Sequence, residues 1–353
     1  MRLPHVSIAT VVAFTALSAA AGQGRVVHDT LHSRALVGNP LGDSPDREVL
    51  IYLPPSYDRS TSRRYPVLYL LHGATTKPIE WLDGSYPGLN VAKAMDSLAA
   101  ADHREYLIVM PDADNSLGGS FYMNSGVSGR WEDAIVGELV EHVDKRYRTI
   151  ARRESRGLAG HSMGGFGVLF LAPRHPDVFG VAYAMSACCL DFLGNLAPNA
   201  ARWGRLARNM GDTTRPDSGA RVWRGDGLTA AMVPATVHPP FTGWVGFLPF
   251  GPSASGLAPD SGVIAMWRDR LPAKRVERDR AALARLRAFA LDVGRADSGI
   301  ALGVRAYASE LRRVGVRHEL VEYDGDHINH VYVRFEQAVL PFFARQLVGT
   351  TAR

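Results

Sequence analysis

The chain has 353 residues, of which 46% are hydrophobic and 21% are charged, and its formal net charge is +5. This length and hydrophobic content allow a large buried core and exclude fibrous and disordered classes of protein. Basic residues are interspersed with acidic ones, as in "VERDRAALARLR" at 276–287. The positive charge therefore indicates a mixed, solvated surface, and no nucleic-acid partner is expected.

The N-terminal segment has the layout of a secretory signal peptide. Arg2 precedes an uncharged apolar stretch that ends in the small residues Ala19 and Ala21. This stretch is too short to span a bilayer, and no later segment has the roughly 18 consecutive apolar residues of a transmembrane helix. We therefore predict a signal peptide over 1–21, and a secreted or periplasmic mature chain over 22–353 without stable membrane insertion.

Apolar runs rich in β-branched and aromatic residues alternate with helical patterns along the rest of the chain. The apolar runs show little polar alternation, which is typical of parallel strands covered on both faces. Strands are predicted at 47–54, 65–73, 105–113, 157–162, 181–187, 287–294 and 318–325, and helices at 131–147, 301–315 and 332–347. The order of these elements predicts an α/β fold with a mostly parallel, doubly wound sheet.

One region interrupts this alternation. Residues from about 190 to 272 are rich in glycine, proline and aromatic residues. A structureless loop of this size is improbable inside a compact domain, so we predict an inserted cap or lid within a single domain. Trp244 and Phe247 in this region are candidates for an apolar substrate pocket, with core packing as the equal alternative.

The two cysteines, Cys188 and Cys189, are adjacent in the sequence. Adjacent cysteines cannot build a disulfide framework. The favoured interpretation is a pair of small buried residues at the end of a strand, and the alternative is a strained vicinal ring.

The motif "LAGHSMGGF" at 158–166 places a serine at a corner between a predicted strand and a predicted helix. A sharp turn of this kind needs small neighbours, which Gly160 and Gly164 supply. G-x-S-x-G is the nucleophile-elbow pattern, in which the serine hydroxyl stands above the carboxyl edge of the sheet. Ser162 is therefore the candidate nucleophile.

A serine nucleophile needs a general base and an orienting carboxylate, in the chain order serine, acid, histidine. His327 follows the last predicted strand in "EYDGDHINH", with His330 as the fallback base. Asp297 lies in the loop after the preceding strand, where ligands bind in open α/β sheets. The alternative acid, Asp292, lies within that strand.

The developing oxyanion needs two backbone N–H donors. One donor is expected from Met163, directly after the nucleophile, and the other from Ala74 in the loop after "LYLLHG". His72 and His161 are further candidates for the wall of the substrate pocket, and His161 could also serve packing alone.

Four segments together resemble a known family: "YPVLYLLHG", "RGLAGHSMGGFGVLFLAPRHPDVFG", "LDVGRAD" and "YDGDH". In this order they are similar to the "putative esterase" branch of the α/β-hydrolase superfamily, which includes feruloyl esterases, S-formylglutathione hydrolases and mycolyltransferases. The resemblance covers roughly 45–190 and 285–345. It implies an α/β-hydrolase fold with Ser162 as nucleophile, His327 as base and Asp297 as acid. Asp326 stands where the family often has a second glycine.

These observations predict a secreted serine esterase that hydrolyses carboxylic esters through an acyl-enzyme. The expected substrate is a small-molecule or carbohydrate-linked ester, and no cofactor or metal is expected. An acyltransferase with the same triad is the alternative, and a non-catalytic binding module is a weaker one. A metal site at "PDADN" (111–115) is weaker still, because its two aspartates are typical turn residues and have no matching histidine cluster.

Overall fold

A computed structural model describes residues 22–102, 104–192, 227–236, 248–253 and 256–349. The predicted signal peptide, Trp244 and Phe247 lie outside the described residues, so these three predictions stay open. Among the described residues, none of the helices combines the length and the apolar composition that crossing a membrane demands.

Twelve strands occur in the described part of the chain. They are β1 (Arg25–His32), β2 (Asp46–Leu53), β3 (Val67–Leu71), β4 (Leu107–Pro111), β5 (Asn124–Ser125), β6 (Gly129–Arg130), β7 (Arg156–His161), β8 (Val181–Met185), β9 (Phe250–Ser253), β10 (Gly256–Pro259), β11 (Ala288–Gly294) and β12 (Glu319–Tyr323). The seven predicted strands are β2, β3, β4, β7, β8, β11 and β12, each within two residues of its predicted bounds.

Eight strands form the central sheet, in the order β1-β2-β4-β3-β7-β8-β11-β12. The six strands from β4 to β12 run parallel, and β1 and β2 are antiparallel to their neighbours. The predicted mostly parallel, doubly wound sheet of an α/β-hydrolase fold is thus confirmed. Strand order reverses between β3 and β7, and a crevice at such a switch point is where open α/β sheets bind ligands.

Ten α-helical segments flank the strands in the described residues. They are α1 (Val91–Asp102), α2 (Trp131–Asp133), α3 (Val140–Arg146), α4 (Met163–Arg174), α5 (Gly227–Thr236), α6 (Ser261–Arg268), α7 (Pro272–Leu283), α8 (Ser298–Arg313), α9 (Val331–Arg334) and α10 (Leu340–Gln346). A π-helical turn at Ala134–Leu139 joins α2 to α3. A second π-helical turn, at Phe335–Val339, joins α9 to α10. The predicted helices 131–147 and 332–347 are therefore continuous helical stretches.

The sheet divides the interior into two apolar layers, because successive side chains of a strand point to opposite faces. On β3, Val67, Tyr69 and Leu71 belong to the layer under α4, whereas Leu68 and Leu70 belong to the layer under α1 and α10. Every residue of β3 is buried, which explains its continuous apolar sequence. The two layers make the sheet a rigid support for the loops at its carboxyl edge.

Some elements were not predicted from the sequence. Strand β1 lies at the edge of the sheet with much of its surface exposed, and its sequence "RVVHDTLH" has no apolar run. The described parts of the predicted insertion include α5, the hairpin of β9 and β10, and α6.

Candidate active site

The serine of the G-x-S-x-G motif lies at the corner between β7 and α4. Its backbone has φ 56° and ψ −113°, a conformation that non-glycine residues rarely adopt. The Ser162 N–H donates to the Met185 carbonyl at 3.0 Å, and the Ser162 carbonyl accepts from the Cys188 N–H at 3.2 Å. Contacts to the segment around the end of β8 thus hold the strained turn on both sides.

Glycine at two positions of the motif is required by close backbone contacts. A Cβ on Gly164 would lie 2.0 Å from the Leu71 carbonyl oxygen, and a Cβ on Gly160 would lie 2.4 Å from the Gly164 carbonyl carbon. No side chain fits at these distances, so only glycine lets α4 pack this closely against β7 and β3.

His327 lies within hydrogen-bond distance of the serine. Its Nε2 is 2.9 Å from Ser162 Oγ. The histidine occupies a turn after β12, in which Asp326 Oδ1 accepts from the N–H groups of Ile328 at 2.9 Å and Asn329 at 2.8 Å. The turn carries the imidazole from the sheet edge back to the elbow.

Asp297 lies on the other side of the histidine ring. Its Oδ2 is 2.7 Å from His327 Nδ1. Because a carboxylate oxygen can only accept, the Nδ1–H of His327 donates to Asp297, and Nε2 remains to accept the serine hydroxyl proton. Asp297 precedes α8 without capping it through its side chain, so its carboxylate is left for the histidine. The structure therefore brings the three predicted triad residues into one hydrogen-bonded chain.

The loops that carry Asp297 and His327 contact each other directly. The Ala296 N–H donates to the Gly325 carbonyl at 2.9 Å, and a Cβ on Gly294 would lie 2.3 Å from that same oxygen. Glycine at position 294 thus permits the contact that sets the spacing between Asp297 and His327.

Asp292, the alternative acid, is fully buried in β11 and has other partners. It accepts from the Tyr183 hydroxyl at 2.9 Å and from Arg334 Nε at 3.0 Å. Burial raises the pKa of Asp292, and the Arg334 guanidinium opposes that shift. His330, the fallback base, precedes α9 and stacks on Tyr323 with ring centroids 6.1 Å apart.

The two predicted oxyanion donors occupy suitable elements. Met163 is the first residue of α4, where a helix leaves its N–H groups without an intrahelical acceptor. Ala74 follows Gly73, on which a Cβ would lie 3.6 Å from Ser162 Cβ. The loop after β3 is therefore adjacent to Ser162, and Ala74 lines the cavity around it.

His72 has a different position from the one expected. It is fully buried and is not among the residues that line the cavity. Its Nδ1 donates to the Gly73 carbonyl at 2.7 Å, and its Nε2 accepts from the Ala113 N–H at 2.8 Å. Burial lowers the pKa of His72, which keeps the ring neutral. His72 therefore braces the loop that carries Ala74 and is not a pocket wall.

His161 is likewise buried and is not a wall of the cavity. Its Nε2 donates to the His327 backbone carbonyl at 2.7 Å, and its Nδ1 accepts from the Tyr86 hydroxyl at 3.3 Å. Burial, together with repulsion from His327, lowers the pKa of His161 to about 3. This neutral ring connects the elbow to the turn of the base, a contact that the sequence pattern alone did not reveal.

A cavity of about 480 Å³ is lined by all three predicted triad residues. The other residues lining it are mostly apolar or small: Ala74, Phe121, Cys188, Cys189, Ala296, Ser298, Gly299, Ile300, Asp326 and Ile328. Trp244 and Phe247, predicted to line the pocket, lie outside the described residues. Ile300 and Ile328 were missed from the sequence, although each lies within three residues of a triad member.

Comparison with known proteins assigns the chain to a family. Residues 44–241, more than half of the chain, match the family described as "Putative esterase". An esterase of Mycobacterium tuberculosis is 34% identical over 147 residues, which are 41% of this chain and 30% of that protein. An endo-1,4-beta-xylanase/feruloyl esterase of Xylanibacter ruminicola is 31% identical over 137 residues, 37% of this chain and 18% of that protein. The chain thus matches less than a third of the length of these relatives.

Solved structures extend the likeness over most of the chain. A ferulic acid esterase is 25% identical with a TM-score of 0.65, covering 92% of this chain and 98% of that one. An S-formylglutathione hydrolase from Agrobacterium tumefaciens has the same fold, with 18% identity, a TM-score of 0.59 and coverage of 93% and 97%. The resemblance inferred from the sequence is confirmed: the chain belongs to the "Putative esterase" family of the α/β-hydrolase superfamily.

Proposed function

We propose that this protein is an exported serine esterase that hydrolyses carboxylic esters through an acyl-enzyme on Ser162. One observation carries the proposal: Ser162 Oγ, His327 and Asp297 are joined by hydrogen bonds of 2.9 and 2.7 Å beside one cavity. A nucleophile, a base and an orienting acid in this geometry are the groups that acyl transfer requires.

In the first half of the reaction, Ser162 Oγ attacks the ester carbonyl carbon while His327 Nε2 takes the hydroxyl proton. The resulting imidazolium is stabilised by the Asp297 carboxylate at Nδ1. The N–H groups of Met163 and Ala74 donate to the oxyanion of the tetrahedral intermediate. The intermediate collapses when His327 returns the proton to the leaving alcohol, and the acyl group stays on Ser162.

In the second half, water takes the place of the alcohol. His327 Nε2 removes a proton from the water, whose oxygen attacks the acyl carbon, and then returns the proton to Ser162 Oγ as the carboxylic acid leaves. An acyltransferase would differ only at this step, with an alcohol or sugar hydroxyl as the attacking group.

The substrate that fits this site is an ester with an apolar or aromatic acyl group. Phe121, Ile300 and Ile328 give the cavity an apolar wall beside the nucleophile. Feruloyl esters are the first aromatic esters to test, because a relative and a solved structure carry feruloyl or ferulic acid esterase in their names. Export, based on the signal-peptide pattern over 1–21, would give the enzyme access to extracellular esters.

The test is covalent labelling of the nucleophile. A fluorophosphonate is expected to modify the tryptic peptide 157–174, which contains Ser162, and Ser162→Ala is expected to lose both labelling and ester hydrolysis. Ser298→Ala is the matched control, because Ser298 lines the same cavity and makes no contact in the triad. Hydrolysis retained by a folded Ser162→Ala variant would refute the proposal.

A substrate panel then separates hydrolysis from transfer. The panel contains p-nitrophenyl esters of short and long acyl chains, methyl ferulate and S-formylglutathione, each with and without an added acceptor alcohol. A serine esterase releases free acid at a similar rate in both conditions. Preferential formation of the transferred ester would identify the acyltransferase instead.

A further inference from the structure

Two adjacent thiols lie in the wall of the same cavity. Cys188 and Cys189 both line it together with Ser162, and both residues are more than nine-tenths buried. Their sulfur atoms are 2.9 Å apart. We propose that Cys188 and Cys189 form a vicinal dithiol that closes reversibly to a disulfide in the cavity wall. This inference does not depend on the proposed esterase activity.

The backbone turns the two side chains toward each other. In an extended strand, consecutive side chains point to opposite faces, so adjacent cysteines would diverge. Here the segment after β8 leaves the extended conformation, with φ 39° at Ser186 and φ 63° at Cys189. The Cys188 N–H donates to the Ser162 carbonyl, which fixes this turn against the elbow. The sulfur atoms are thus held together in the folded protein before any bond forms.

Closing the bond needs only a small movement. A disulfide bond is about 2.05 Å long, so the sulfur atoms have to approach by roughly 0.9 Å from their present 2.9 Å. Consecutive Cα atoms are about 3.8 Å apart, whereas the Cα atoms of most disulfides are about 4.4–6.8 Å apart. A ring between neighbouring cysteines is therefore strained and readily reduced, which makes the closure reversible.

The oxidant that the proposal requires is a low-molecular-weight disulfide. The thiolate of one cysteine attacks a sulfur of this disulfide, forms a mixed disulfide and releases one small thiol. The other cysteine, as thiolate, then attacks the protein sulfur of the mixed disulfide and releases the second small thiol. The two cysteines lose two protons and two electrons in all, and the reagent gains them and becomes two thiols.

The experiment treats the folded, full-length protein with 2-hydroxyethyl disulfide and follows its mass. We expect the protein to become lighter by two hydrogens, and we expect this change to map to the tryptic peptide 175–202, which contains both cysteines. In the product neither thiol reacts with iodoacetamide, and dithiothreitol restores both thiols. None of these measurements requires an ester substrate.

Two single variants provide the matched controls. Cys188→Ser and Cys189→Ser each keep one thiol, so each is expected to stop at the mixed disulfide, heavier by one hydroxyethylthio group. The proposal is overturned if the wild-type protein also stops at a mixed disulfide. It is equally overturned if both wild-type thiols still react with iodoacetamide after treatment with a concentration of 2-hydroxyethyl disulfide that modifies the unfolded chain.

Discussion

The proposed nucleophile and the proposed base occupy two differently built regions of the molecule. Ser162 lies between β7, in which every residue is buried, and α4, which is buried over almost all of its length. His327 lies beyond β12, an edge strand whose residues are half-buried or exposed, and its neighbour Ile328 is 49% exposed. The hydrogen bond between Ser162 Oγ and His327 Nε2 therefore joins a packed interior element to a surface turn.

Different forces hold the two regions in place. Close packing fixes the elbow, because backbone atoms fill the space beside Gly160 and Gly164. Polar contacts fix the position of His327. Its Nδ1–H donates to Asp297, and its backbone carbonyl accepts from His161. The turn around it is stabilised by Asp326, which accepts from a backbone N–H group. Substitutions in the elbow should therefore affect stability first, and those around the base should affect catalysis first.

The largest catalytic effect around the base is expected from Asp297→Asn. The variant keeps the shape of the side chain but removes the charge that orients His327 and stabilises its imidazolium. We expect kcat for p-nitrophenyl butyrate to fall by up to about 10⁴, as in serine proteases, with little change in the free energy of unfolding. Steady-state kinetics and urea unfolding on the same preparation measure the two quantities.

Asp292→Asn is the control for this prediction. It removes the charge partner of Arg334 in a buried site, so we expect a loss of about 2 kcal/mol in stability and a kcat within a few-fold of wild type. A folded Asp292→Asn variant without activity, next to an active Asp297→Asn variant, would show that Asp292 is the acid.

In the elbow, Gly164→Ala should disrupt the fold itself. The new Cβ would lie 2.0 Å from the Leu71 carbonyl oxygen and 2.9 Å from the His72 carbonyl oxygen, and these backbone atoms cannot move aside as a flexible side chain can. We expect a loss of about 4 kcal/mol in the free energy of unfolding, measured by urea denaturation.

Gly137→Ala is the matched control, because nothing lies within 4 Å of a Cβ at that helical position. Its free energy of unfolding should stay within about 1 kcal/mol of wild type. Equal losses in the two variants would show that close contact at Gly164 is not what determines the effect.

The contrast between the regions also explains what the sequence could predict. Parallel strands buried on both faces have continuous apolar runs, so β3, β4, β7 and β8 were predicted within two residues of their bounds. Strand β1 was missed because an exposed edge strand needs no such run.

The triad residues were selected by chain order and motif, which depend on topology and are visible in a sequence. Contacts between residues that are distant in the chain are not visible in a sequence. The sequence leaves His161, a neighbour of Ser162, as a candidate for either packing or the pocket wall, and it does not reveal that the partner of His161 is a backbone carbonyl 166 residues away. A backbone partner leaves no mark on the sequence, because every residue type has a backbone carbonyl. His72 also has a backbone partner, since its ring accepts from the Ala113 N–H.

His161 should make the folded state sensitive to acid. Its pKa is lowered to about 3 in the folded protein from an ordinary value of 6.5. Between these values the unfolded chain binds a proton that the folded protein does not, so stability falls as the pH decreases from about 6.5 toward 3. We expect His161 to account for a loss of about 2–3 kcal/mol between pH 7 and pH 4.

His161→Gln tests this contribution. Glutamine keeps an N–H donor for the His327 carbonyl but does not titrate. Urea unfolding of both proteins at pH 7 and pH 4 cancels the contribution of the carboxylates that they share. The wild type should lose about 2–3 kcal/mol more than the variant on acidification, and equal losses would mean that His161 is protonated in the folded state.

The smallest effect is expected in the turn that carries His327. Asp326 Oδ1 accepts from the N–H groups of Ile328 and Asn329, and these two bonds set the path of the chain around His327. In Asp326→Ala the turn loses both bonds, and the imidazole spends less time at the serine. We expect kcat/KM to fall up to about tenfold, equivalent to about 1.4 kcal/mol, while global stability stays near wild type because the turn is exposed.

Asp324→Ala is the matched control: it removes the same charge two residues earlier, and Asp324 is exposed and has no side-chain hydrogen bond within the described part of the chain. A similar loss in both variants would mean that the negative charge near the cavity, and not the geometry of the turn, is what Asp326 contributes.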